Sequence, residues 1–372
     1  MQIKRAFIIL LVILMSFSMV SCFNYHDINK VTFVTSVIFD EDENSNVVLY
    51  LDCVKAFRNA NESIEKGKRL IYKGEGKTAL EAIRDVNMAA SFKLNFTQNR
   101  AYIFTGNAVK NGVKKYVDLI NNDPEFPITP NMFAYFDDVD KLLELSSSDE
   151  EYLGLFLDDL VGKNENSSKV IKLNTNKYMI ERLLPNNLSI MSTLKLKEDA
   201  RDKKIELGGG TIIRNDRMIG KIDTLNTLSY NLLTNKIESG ILEVVNPNEK
   251  NNFITLKILD SKIKTSVDYS NDKIVLNKKL KLKTNIAESQ SKFIVDQEFI
   301  DNICELEEES IKSHLKDTFN EYKEKNVDIL QVVNLLNQKY GYEKEEDYLS
   351  KVELNVEVDI DIDGSGRTKN SL

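Results

Sequence analysis

Near the end of the chain, in "KVELNVEVDIDIDG", Val352, Leu354, Val356, Val358, Ile360 and Ile362 alternate with Glu353, Asn355, Glu357, Asp359, Asp361 and Asp363. Period-two alternation in a run this rich in β-branched residues predicts a strand with one apolar and one acidic face. The acidic face reads as a solvated surface on a strand near a sheet edge, where charge resists aggregation. Asp359, Asp361 and Asp363 before Gly364 also resemble the start of a calcium loop. The twelfth place of such a loop, however, needs a bidentate carboxylate, and here it is Asn370. A strand accounts for every residue of the stretch, the loop only for its aspartates and glycine.

The same reading proceeds from the beginning of the body. β-Branched apolar runs at 31–39 and 46–54 flank "DEDENSN" and predict a hairpin. Thr78 and Glu81 have capping-box spacing, and Leu80, Ala82, Ile83, Val86 and Ala90 continue at helical intervals. "RAYIFTG" predicts a short buried strand, and 109–120 a second helix ending before Asp123-Pro124. "DPEFPITP" predicts a turn-rich connection. Further helices are expected at "DDVDKLLEL", at "YLGLFLDDLVG" with Ser148 and Glu151 ahead of it and Gly162 as its stop, and at "NKYMIERLLP".

A polar, lysine-rich stretch at 195–206 marks the expected domain boundary. Beyond it, Asn215-Asp216 between two apolar runs predicts a hairpin. The triple glycine before that hairpin lacks the lysine–serine/threonine pair and the following helix that a phosphate loop needs. Strands are expected at 241–245, 253–258, 263–267 and 279–286, then helices at 296–322 and 327–340 before the final strand. The fold class is therefore α+β and multidomain: an N-terminal mixed α/β domain, then a C-terminal domain with an antiparallel sheet and long helices.

Composition narrows the function. The chain has 372 residues, 42% hydrophobic and 29% charged, enough for two or three domains with developed cores. The expected leader carries Lys4 and Arg5, so the remainder balances 50 − 2 = 48 basic residues against 58 acidic ones, a net −10. Lysines are interspersed with acids and not clustered, which argues against a nucleic-acid partner. With only His26 and His314, no G-x-S-x-G and no H-E-x-x-H, the chain has a thin supply of general bases and metal ligands. No catalytic residue, metal site or cofactor is expected.

"MQIKRAFIILLVILMSFSMVSC" supplies the one chemical site. A basic start, a short apolar core and small residues leading to Cys22 suit a cleaved export signal over residues 1–21 better than a permanent membrane span. Met19-Val20-Ser21-Cys22 then matches a bacterial lipoprotein signal, with Met19 in place of the usual leucine. Cys22 is the expected lipid attachment site, and two acyl chains would hold the body stably on a bilayer where one would be marginal. Cys53 and Cys304 are read as buried free thiols.

The order of "SCFNYHDI", "GEGKTALEAI", "RAYIFTGNAVKNGV", "GGTIIRNDRMIGKID", "ESGILEV", "NVDILQVVNLL" and the closing strand resembles the lipoprotein C-subunit of bacterial spore germinant receptors, the Ger(x)C family, over essentially the whole chain. Phe23 and Asn24 stand where that family commonly has tryptophan and an acid. The resemblance implies a signal peptide at 1–21, an N-terminal germination-protein domain at 22–190 and a C-terminal domain at 205–368. It also implies a non-enzymatic subunit, lipid-anchored at Cys22 on the outer face of the spore inner membrane. Its partners there would be two integral-membrane receptor subunits that respond to nutrients. The competing readings are an exported solute-binding lipoprotein of a transporter, which would close two lobes on a ligand, and an exported hydrolase.

Overall fold

The first hairpin is present: β1 (Val31–Glu41) and β2 (Val47–Lys55) pair antiparallel, with Glu41 opposite Val47. Its connection turns because Asp42 Oδ1 accepts from the backbone N–H groups of Asn44 (2.9 Å) and Asn46 (2.7 Å), while Ser45 takes φ 63°. The computed structural model describes residues 4–5, 31–55, 68–144, 152–164, 167–197, 204–234, 237–249, 251–290 and 296–363. Cys22 and the leader apart from Lys4 and Arg5 lie outside the described residues, as do Ser148 and Glu151.

A nine-stranded sheet grows from that hairpin. β3 (Lys68–Gly76) pairs antiparallel with the outer edge of β2. On its other side β1 pairs in parallel with β4 (Lys93–Asn95) and β5 (Ala101–Thr105), and β6 (Asn131–Tyr135) and β7 (Leu188–Lys197) extend the parallel run. β8 (Lys204–Arg214) and β9 (Arg217–Ile222) close it as an antiparallel meander. The stretch expected as a boundary thus joins two strands of one sheet, Lys197 pairing with Lys204.

Alternating side chains of β1 bury both faces. Val37 and Phe39 face α1 (Ala79–Ala89), α2 (Gly106–Asn111) and α3 (Lys114–Asn122), where Phe39, Phe104 and Tyr116 pack ring on ring. Ile38 faces α4 (Val139–Leu143) and α5 (Leu153–Lys163). The capping box at α1 forms: Thr78 Oγ1 accepts from the N–H of Glu81 (3.2 Å), whose own carboxylate reaches back to the N–H of Lys77 (2.8 Å).

The single helix expected over 109–120 is two helices, because Gly112 at φ 118° breaks the ladder. Gly162, expected as a stop, lies inside α5, and α6 (Thr175–Glu181) is a short piece of its expected helix.

In the second half, α7 (Thr224–Thr234) leads to a four-stranded sheet in the order β10 (Gly240–Val245), β11 (Phe253–Ser270), β12 (Lys273–Ser289), β13 (Val352–Ile362). The first three pair antiparallel. β13 adds in parallel to β12 as an edge, after a crossover through α8 (Gln297–Glu324) and α9 (Val332–Tyr340). The four strand-like runs expected here are thus three strands. 253–258 and 263–267 form one strand, interrupted by a register shift between Ile258 and Asp260. The acidic face of β13 is solvated and also paired: Lys279 meets Glu357 at 2.7 Å, Lys281 meets Asp359 at 2.5 Å and Lys283 meets Asp363 at 2.6 Å.

Candidate functional site

The residues with catalytic potential are dispersed. His314 is exposed on α8. Cys53 is buried on β2 and Cys304 half-buried on α8, and both are free thiols. Burial pushes both thiols up, that of Cys304 to about 11, so neither is a thiolate at neutral pH. Among the described residues no three His, Cys, Asp or Glu side chains converge as metal ligands. The triple glycine lies within β8, where Gly209 at φ 77° lets the strand approach the carbonyl of Ile222; a Cβ there would sit 2.3 Å from that oxygen. It is a strand distortion and not a phosphate loop.

What the sequence does assemble is a polar junction between the two halves. After α6 the chain turns through Pro185-Asn186, with Asn187 at φ 55°, and buries Asn186. The N–H of Asn186 donates to Asn334 Oδ1 (2.8 Å), and its Nδ2 donates to the carbonyl of Asp328 (2.7 Å). Gln331, at φ 59° ahead of α9, donates from Nε2 to the carbonyl of Leu188 (2.8 Å), and its Oε1 accepts from Asn334 Nδ2. Tyr322 at the end of α8 donates to the carbonyl of Lys221 (2.9 Å), and Arg214 Nη1 donates to that of Asn326 (3.0 Å).

Asp328 is the buried hub. Its Oδ2 accepts from Tyr348 OH (2.7 Å) and from the N–H of Val333 (3.1 Å), and burial raises its carboxyl. Around these bonds one apolar cluster runs continuously from Leu188, Ile190, Ile212 and Ile222 of the large sheet to Val327, Ile329 and Leu330. Each buried hydrogen bond contributes only about 1 kcal/mol net, but leaving one unmade in that core costs more. The junction therefore fixes one geometry between the halves. It is a structural coupling.

A second node holds α6 in place beside the junction. Asp216, at φ 63° in the β8–β9 turn, accepts from Tyr178 OH (2.6 Å) and pairs with Arg182 Nη2 (2.8 Å), while Arg182 Nη1 reaches Asp118 (3.2 Å). The carbonyl of Asp216 accepts from the N–H of Val113 (2.8 Å), and Lys115 pairs with the buried Glu41 (2.6 Å). Burial beside Asp216 raises the Tyr178 hydroxyl, which stays a donor. The sequence reading did not reach this node or the junction, although Asn215-Asp216 and "NVDILQVVNLL" were both singled out in it.

Glu307 is out of keeping with its surroundings. Phe299, Ile303, Ile311 and Leu315 form the apolar stripe of α8, and Glu307 occupies the place between Ile303 and Ile311. It is 7% exposed, and burial alone pushes its carboxyl from an ordinary 4.5 up to about 7. The folded state thus binds this proton more tightly than the unfolded chain. Stability is fully present below pH 4.5, falls between 4.5 and 7, and carries a constant penalty above that. Two to three units correspond to about 3 kcal/mol. Glu307→Gln is expected to raise stability by about that amount at pH 8 and to change little at pH 4.5, as read by urea unfolding at both values.

Residues 24–195 match the family described as "Spore germination protein N-terminal domain", and residues 208–366 match "Spore germination B3/ GerAC like, C-terminal". The chain is 22% identical over 247 residues to the spore germination protein GerQC of Bacillus cereus, a match that spans 63% of each protein. Its fold is similar to the crystal structure of the GerBC protein, with a TM-score of 0.54 at 13% identity over 87% of this chain and 96% of that one. Two family matches in tandem over most of its length show that the chain belongs to the GerxC family of spore germination receptor C-subunits.

Proposed function

We propose that this protein is a membrane-anchored lipoprotein subunit of a nutrient germinant receptor, acting as an assembly and signalling component on the outer face of the spore inner membrane. The observation that carries the reading is the tandem match of both halves to spore germination families. Two structural features support it. Among the described residues no helix is long and apolar enough to cross a membrane. The halves are also joined by buried bonds at Asn186, Asp328 and Gln331, so a partner seated on one half acts on the other through a fixed geometry.

The anchor sets the orientation. Cys22 stands nine positions before Val31, a reach of at most about 30 Å fully extended. The end of the large sheet where Val31 pairs with Lys93 would therefore lie close to the bilayer. The two integral-membrane subunits of the receptor are the partners this reading requires.

Purification of the tagged, full-length protein from detergent-solubilised spore inner membranes tests it. Two integral-membrane proteins are expected to co-purify in a fixed ratio. Recovery of the protein alone from membranes that contain those subunits would count against the receptor assignment.

A further inference from the structure

The described lysines of the β12–β13 face are neutralised in register by acids, as at Lys279, Lys281 and Lys283. A cavity of about 500 Å³ in the same domain departs from that rule. It lies between the β11–β12 turn, the second half of α8 and the start of β13, and Lys273, Lys316, Lys323 and Lys351 line it against only Asp272 and Glu353. Lys316, Asn320 and Lys323 fall at i, i+4 and i+7, so one face of α8 supplies all three.

Lys351 is neutralised by Asp272 and Glu345, each at 2.9 Å, which consumes one of the two acids in the cavity wall. Lys323 is half-buried, and among the described residues its ammonium bonds to the carbonyl of Val352 (2.7 Å), one of the three bonds an ammonium can donate. Lys273 and Lys316 make no ion pair among the described residues. Three cations that repel one another are thus held around one concavity by a helix, a hairpin turn and a strand end. The chain as a whole carries −8, so this is a local reversal of sign.

We propose that this cavity is a binding site for an anionic phosphate group, held by Lys273, Lys316 and Lys323, with the Asn320 amide as an additional donor. Compact ammonium groups suit phosphate oxygens as point charges and need no planar fork. The site lies in the C-terminal domain and does not depend on the receptor assignment. Free phosphate and a glycerophospholipid headgroup share the required chemistry.

The test is calorimetric titration of the full-length protein in neutral detergent at low salt, with inorganic phosphate in one arm and soluble dihexanoyl phosphatidylglycerol in the other. Saturable binding is expected in at least one arm. The Lys273→Gln/Lys316→Gln variant, which leaves the Lys323–Val352 bond intact, is expected to weaken it by about ten-fold or more. A control variant, Lys262→Gln/Lys264→Gln on β11, should bind as the parent does, and the melting temperatures of all three proteins without ligand should agree. Loss in the phosphate arm identifies a free oxyanion, and loss only in the phosphatidylglycerol arm identifies a headgroup. Absence of saturable binding in both arms, or equal binding by the parent and Lys273→Gln/Lys316→Gln, overturns the proposal.

Discussion

Asp52→Ala is expected to cost about 3–5 kcal/mol and to detach α5 from the large sheet, because it breaks a buried ion pair and removes a helix cap in one step. Asp52 lies on β2, and its side chain is wholly buried. One carboxylate oxygen pairs with Arg69 Nε at 2.8 Å, and the other accepts from the N–H of Leu153 at 2.7 Å. Leu153 begins α5, whose own N-cap, Tyr152, makes no side-chain capping bond. The carboxylate therefore serves a helix 101 positions away, where the first turn favours negative charge.

α5 also lies so close to β1 that a Cβ on Gly154 would fall 1.9 Å from the carbonyl of Thr35, so the helix cannot move nearer to the strand to find another acceptor. Alanine would leave the Arg69 guanidinium, with its side chain 12% exposed, without that carboxylate. Urea unfolding measures the loss, and hydrogen exchange of the α5 amides tests its location. Asp52→Asn retains an acceptor for Leu153 and is expected to cost less than alanine. Equal stability of Asp52→Ala and the parent would falsify the assignment of Asp52 as the cap of α5.

The elements legible in the sequence were those whose two faces meet different surroundings. β13 is apolar inward and acidic outward, and α1 is marked by its capping box and a buried Ala82-Ile83-Val86 face. β6 and the first part of β7 are buried on both sides of the sheet, so "NMFAY" and "LSIMSTL" carry no alternation to read. β3 was obscured by its glycines. Gly74 is required because α1 crosses it there, and a Cβ would stand 2.3 Å from the carbonyl of Ala82.

One turn shows how context decides. Asn215-Asp216, at φ 53° and 63°, was legible because apolar runs abut it on both sides. Asn271-Asp272 adopts nearly the same backbone, at φ 50° and 60°, but the strands beside it are diluted by lysine, aspartate and serine, so the long β11–β12 hairpin was read as separate pieces.

The junction was less legible than the fold for a different reason. Asn186, Asp328, Gln331 and Asn334 look like ordinary turn and helix-end residues, and their roles arise from pairing across 142 to 148 positions. No local period encodes such a meeting. Cys22 is the opposite case, since its proposed lipidation rests entirely on the residues before it, and its test belongs in the membrane.

On the proposed reading, Cys22→Ala is expected to move the protein from the membrane to the soluble fraction, by about a hundredfold or more in partitioning, because each buried acyl methylene contributes about 0.8 kcal/mol. Among the described residues nothing else offers comparable adhesion. Among the described residues no helix can span a bilayer, and the body without residues 1–21 carries 48 basic against 58 acidic side chains, which anionic headgroups repel. A cationic cavity with three unneutralised lysines supplies at most a weak, salt-sensitive contact beside two acyl chains.

The change at Cys22 leaves the junction and both cores untouched, so thermal unfolding of the variant should match that of the parent. A loss of nutrient germination would then report the address and not misfolding. Fractionation of spores, followed by a nutrient response assay and a second assay with a non-nutrient trigger, separates the outcomes. The first response should fall while the second persists. Normal membrane retention together with normal nutrient germination in Cys22→Ala spores would remove the lipid anchor from the account.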